Sequence, residues 1–386
     1  MTAWTPILDS ELAVRAGNAM ADIAGALAGF AEPAEHLPLY WAYTASVFPE
    51  HEAKFDESIA GLVRRIEAGF ASASLFGGAA GVGWVAAHVA AEAEDLLGAI
   101  DSLVIDALEV SRWERDYDLI NGLVGLGVYF LERGEAGMGG LERVLDHLEH
   151  SAQRTPEGIR WHTAPALLPP HQRATAPAGH YNCGLAHGAA GVVALLARIP
   201  DRARGMLDGA AQWLAAQRMA PGGSSYFPAM ITEERAVNAR TAWCYGDPGV
   251  LLALWRATPS RELEQLAVNA LARSPADAVV VDADLCHGAM GLAHIANRFF
   301  QATRDPRFRE LAVGWIEHAL SLRVPGEGIA GFRSHFGATP TRPAYWATQP
   351  NLVDGAAGIG LALQAALGDT EPAWDRLMLC DLPVRG

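Results

Sequence analysis

Two kinds of helix alternate along this chain. Stretches that are apolar nearly all round cover residues 82–89, 126–131, 192–197, 250–255, 292–295 and 359–366. Between them, residues 141–149, 202–218, 262–273 and 307–322 mix charged positions with apolar stripes at helical spacing. A helix that is apolar on every side must be buried, whereas an amphipathic one covers a core and meets water with its other face. The alternation predicts an inner ring of buried helices wrapped by an outer ring. Residues 9–31 and 49–71 read as two further helices near the N-terminus, with Pro49 suited to a first helical turn. Strand-like patterning is confined to 278–281, Ala-Val-Val-Val. The predicted class is all-α: an α/α toroid running as one unit over residues 1–386.

Each apolar run follows a Gly-x-x-Gly pair, beginning at Gly78, Gly122, Gly188, Gly246, Gly288 and Gly355. Forty glycines in 386 residues yield about four such pairs by chance. The six gain their weight from shared context, a polar turn before and an apolar helix after. Their spacing is uneven, and the two longest intervals hold proline- and glycine-rich stretches at 155–179 and 325–350. Both read as insertions over one face of the ring, candidate lids.

Composition narrows the function. Lys and Arg number 29 against 44 Asp and Glu, a formal net charge of −15. That argues against nucleic-acid or anionic-lipid partners, which need a basic face. At 51% hydrophobic and 19% charged, the chain has the makings of a large core. Four cysteines are too few for a disulfide scaffold. No signal peptide is visible, and no apolar run approaches 18 residues. The expectation is a cytoplasmic protein with reduced thiols.

The polar residues just before the glycine turns carry the candidate chemistry: Asp118, His187, Arg240, Cys244, Cys286 and His287. If every pair opens an inner helix, these side chains gather at one end of the ring. Two thiolates and an imidazole select zinc, and three protein ligands leave a fourth position for water or substrate. The plainer alternative is two buried free cysteines and a hydrogen-bonded core histidine. His187 reads either as an acid–base group or as a helix-start histidine, whose pKa the helix N-terminus lowers. Asp118 can simply cap backbone N–H groups, and Arg240 can be a surface ion-pair partner. Cys183 and Cys380 have no partner pattern and read as structural.

The segments Asn182-Cys-Gly-Leu-Ala-His187-Gly, Trp243-Cys244-Tyr-Gly and Cys286-His287-Gly, in this order on repeated glycine turns, resemble the lanthionine synthetase C (LanC) cyclase family. The resemblance spans residues 74–367 and implies a double α-barrel of seven inner and seven outer helices, with a degenerate seventh motif within 326–350. It makes Cys244, Cys286 and His287 the ligands of one zinc ion, His187 and Asp118 the acid–base pair, and Arg240 a further active-site residue. The implied reaction is intramolecular Michael addition of a peptide cysteine thiol to dehydroalanine or dehydrobutyrine, with zinc holding the sulfur as thiolate. The implied partners are a dehydrated precursor peptide, a lanthipeptide dehydratase and an exporter, the last two able to hold the chain at a membrane. No dehydratase segment precedes the motifs, so the chain fits a free-standing cyclase. LanC-like relatives share the zinc motifs, so a zinc-bearing module that binds glutathione or a modified peptide is a second reading. A protein prenyltransferase β-type toroid would call for a basic diphosphate site, and a six-hairpin glycosidase for paired carboxylates. Neither is visible.

Overall fold

A computed structural model describes residues 4–30, 36–90, 94–220 and 222–384. Taken in chain order, its long helices alternate between outside and inside. The first pairs are α1 (Ser10–Ala28) with α2 (Leu37–Thr44), then α3 (Glu52–Ala68) with α4 (Ala79–Val89). Next come α5 (Glu94–Leu108) with α6 (Leu123–Glu132), then outer α7 (Met138–Ser151), the short connecting α8 (Pro170–Thr175) and inner α9 (Ala189–Leu196). Outer α10 (Pro200–Ala216) precedes inner α11 (Asp247–Ala257), and outer α12 (Arg261–Leu271) precedes the one-turn α13 (Pro275–Ala278) and inner α14 (Ala289–Thr303). Outer α15 (Pro306–Ser321) and inner α16 (Ala356–Leu367) complete the set. Inner helices pack in the order α2, α4, α6, α9, α11, α14, α16, and α16 returns to α2, closing the ring. The architecture is an α/α toroid.

Residue chemistry explains each layer. Every residue of α9 is buried, and α6 is buried from Leu123 to Phe130. Outer α12 instead buries one stripe, including Leu266, Ala267, Ala270 and Leu271, and Ser260 caps it by accepting the Leu263 N–H. Both expected N-terminal helices form, over Ser10–Ala28 and Glu52–Ala68, the second after a 3₁₀ turn at Pro49–His51.

Three expectations need correction. The seventh inner helix is α2, not a segment within 326–350, where turns and an antiparallel pair of strands lie instead. Six of the eight residues of α2 are buried and no glycine pair precedes it, so it lacked the signature that marks the others. The valine run is no strand, because α13 ends at Ala278 and Val279 is left-handed. Strands occur elsewhere: β1 (Gln153–Thr155) with β2 (Gly158–Arg160), β3 (Tyr181–Asn182) with β4 (Pro228–Ile231) and β5 (Ala236–Asn238), and β6 (Ser334–Phe336) with β7 (Tyr345–Ala347). At two to four residues each they are too short to show a period-two pattern. Among the described residues no helix is long and apolar enough to cross a membrane.

Candidate active site

The glycine turns are built by backbone contact. A Cβ on Gly188 would overlap the Asn182 carbonyl, and one on Gly249 would overlap the Trp243 carbonyl. Most of these turns repeat the arrangement, with both glycines lying against backbone six positions earlier. Close approach, not positive φ, is what requires glycine here, since Gly188 is extended at φ −148°. Folding back also satisfies the helix starts. In α6 the Val124 and Gly125 N–H groups donate to the Tyr117 and Asp118 carbonyls at 3.0 and 3.2 Å. In α14 Ala289, Met290 and Gly291 do the same to Asp282, Ala283 and Asp284. Side chains of the turns are thereby largely released from capping.

Successive turns are laced to one another. Leu119 N–H donates to the Ala186 carbonyl at 3.1 Å, Ala186 to Cys244 at 3.3 Å, Cys244 to Cys286 at 3.3 Å, and Cys286 to Val353 at 3.0 Å. This belt fixes the motif side chains of four neighbouring inner helices around one cavity of about 460 Å³. His187, Arg240, Cys244, Cys286 and His287 all line it, and Asp118 sits buried behind His187.

Cys244, Cys286 and His287 each place one ligand atom within 4.8 Å of the others. His287 is oriented for the task. Its Nε2 faces the His335 carbonyl at 3.2 Å and the buried Asp282 carboxylate at 3.6 Å, which leaves Nδ1 for the cluster. The donor set is that of a zinc site with three protein ligands. A hydrogen bond from Cys286 holds the Cys244 thiol well below its ordinary pKa, with help from His287 and Arg240, and the same bond pushes Cys286 up. Burial alone would lower His287, but Cys244 and Asp282 raise it to about 9.

His187 Nδ1 meets Asp118 Oδ2 at 2.6 Å, and the ring stacks on Tyr245 with centroids 5.3 Å apart. Burial acts to lower His187, yet the bond to Asp118 and its charge outweigh burial and raise it. The helix N-terminus therefore does not set this pKa; the carboxylate does. Asp118 also accepts the Asn121 N–H on Oδ1 at 2.7 Å, so it caps the turn while it orients the ring. Arg240 is exposed at the cavity wall, and among the described residues it has no ion pair with Asp118 or any other group. Cys183 and Cys380 are buried and free, and burial lifts Cys183 to about 12.

Several residues in or near the cavity were not singled out in the sequence. Burial and the neighbouring Asp118 push Asp116 up to about 6. Asp354 lines the cavity and is raised by burial. Tyr245 adjoins Cys244 and was legible only as part of the Trp-Cys-Tyr-Gly segment. Of the two insertions, only 325–350 reaches the cavity, through His335, Phe336 and Gly337. The other packs its β2 strand outward on α10.

Ring, glycine turns and thiol–imidazole cluster together define a class, and the profile of lanthionine synthetase C-like proteins matches residues 38–379. The chain belongs to the lanthionine synthetase C-like family. Among solved structures it is similar to nisin cyclase, with a TM-score of 0.72 and 19% identity over 90% of both chains, a likeness of fold. No curated protein matches the sequence.

Proposed function

We propose that this protein is a zinc-dependent lanthipeptide cyclase that joins peptide cysteine thiols to dehydroalanine or dehydrobutyrine, making lanthionine and methyllanthionine rings. The observation that carries the reading is one cavity lined by the Cys244–Cys286–His287 cluster and by the imidazole of the His187–Asp118 pair. Cys244, Cys286 and His287 would hold a zinc ion, which supplies Lewis acidity toward a substrate thiol. The reaction itself is an isomerisation. A thiol proton leaves, a carbon–sulfur bond forms at the β-carbon of the dehydro residue, and the α-carbon gains a proton.

With Nδ1 bound to Asp118, His187 can exchange a proton only through Nε2. That makes Nε2 the candidate donor to the α-carbon, and the Asp118 charge favours the imidazolium needed for it. Arg240 borders the same cavity and stabilises negative charge developing on the enolate oxygen. The apolar walls, Phe336 and Val353 among them, exclude water from the carbanion. The substrate is a precursor peptide already dehydrated, so the chain works after a dehydratase and ahead of an exporter, in the cytoplasm.

The test is a dehydrated precursor incubated with the zinc-loaded protein, with mass and free-thiol count taken before and after. Unchanged mass with loss of thiols is expected. Tight binding with every thiol intact would refute the cyclase reading in favour of a binding module.

A further inference from the structure

The valine run at 278–281 plays no part in the chemistry above. α13 ends in a Schellman turn: Val280 N–H donates to the Pro275 carbonyl at 3.0 Å, and Val279 N–H to Ala276 at 3.2 Å. The left-handed position of that turn usually holds glycine, because a Cβ there crowds the backbone. Here it holds Val279, at φ 58° and ψ 41°. Among the described residues no other β-branched residue has positive φ. A branched side chain in this region is an outlier, and such strain concentrates where a protein holds a ligand.

The run also alternates in exposure. Ala278 and Val280 are 0% and 6% exposed, whereas Val279 and Val281 are 57% and 43% exposed. The Ala278 carbonyl accepts the Thr241 N–H at 3.3 Å, tying this loop to the turn that carries Cys244. Both exposed valines line the cavity. Buried residues thus anchor the segment while two apolar side chains are displayed, without rotamer freedom to lose on binding.

We propose that Val279 and Val281 form a fixed apolar lip that grips an apolar side chain next to the substrate cysteine, making them specificity-determining residues. The inference rests on the cyclase reading for the identity of the peptide. The probe is a pair of synthetic octapeptides with a single cysteine flanked by leucine or by its uncharged polar isostere asparagine, and alanine at every dehydration site. Binding to zinc-loaded protein is measured by calorimetry, so no ring closure is needed. The parent should bind the leucine peptide about five- to tenfold more tightly. Val279→Asp and Val281→Asp should erase that ratio with zinc content unchanged. Val279→Gly should shrink the ratio while keeping or raising Tm, since it relieves the left-handed strain; a merely structural valine would show no such split. Equal binding of both peptides by the parent, binding of neither, or an unchanged ratio in all three variants overturns the lip. A clear preference in a protein that closes no ring on dehydrated versions of the peptides leaves the lip standing and removes the cyclase reading instead.

Discussion

Asp118 accepts the Asn121 N–H on one carboxylate oxygen and the His187 ring on the other, so capping and orientation of the imidazole share one side chain. His187→Asn should keep fold and zinc yet cut cyclisation by about 10²–10⁴-fold, as loss of a positioned acid or base does. Thiol consumption, zinc content and Tm on the same sample check it, and a parental rate would take His187 out of the reaction. Because Asp118 raises His187, the imidazolium persists to higher pH than in a free histidine. If it delivers the α-carbon proton, kcat falls as pH rises through that raised value. Asp118→Asn should shift this alkaline limb to lower pH, and a limb that stays in place would deny the coupling. The proposed metal ligands have a simpler readout. Cys244→Ala and Cys286→Ala should each lose most of about one equivalent of zinc by elemental analysis. The candidate ligands and His187 stood out in the sequence as thiols and imidazoles against glycine turns; Asp354, although it directly precedes Gly355, and Asp116 did not, since a carboxylate becomes unusual only once burial and neighbouring charges act on it.

At the level of elements, the glycine turn is the device that aims side chains. Gly249→Ala places a methyl against the Trp243 carbonyl, and the turn bearing Cys244 must move. It should cost about 1–3 kcal/mol, as overpacking does, and weaken zinc retention. Gly205→Ala is the matched control, on exposed outer helix α10 with nothing near the added methyl. It should stabilise by about 0.5–1 kcal/mol. Denaturant unfolding of both variants gives the comparison, and equal behaviour would deny the turns their special packing. Six of the seven inner helices were legible from this signature and from all-round apolarity. α2 escaped because its short apolar run, Leu-Pro-Leu-Tyr-Trp-Ala-Tyr-Thr, has neither glycine pair nor amphipathic period.

For the whole molecule, the segment after α16 closes the barrel interior behind the site. The carbonyl of Met378 accepts the Trp243 indole N–H at 3.0 Å, so the segment touches a residue of the cavity wall. Asp375 is fully buried between Arg298 Nε at 2.6 Å and His294 Nε2 at 2.7 Å. Burial alone would raise its carboxyl, but Arg298 and His294 reverse that and hold it at about 2. A depressed pKa contributes stability above the unfolded value of about 4 and loses it as pH falls through the folded value. Asp375→Asn, which leaves Arg298 without that charge partner, should therefore cost about 3 kcal/mol at neutral pH. The deficit should narrow between pH about 4 and 2, and a deficit independent of pH would point to packing instead. The sequence by itself determined the helix alternation, the ring and six candidate site residues, because periodicity and residue type are local properties. It could not place α2 in the ring, seat Met378 behind Trp243, raise His187 through Asp118 or turn a valine run into a lip. Those depend on which distant segments meet, and burial and charge act only once the ring has closed around them.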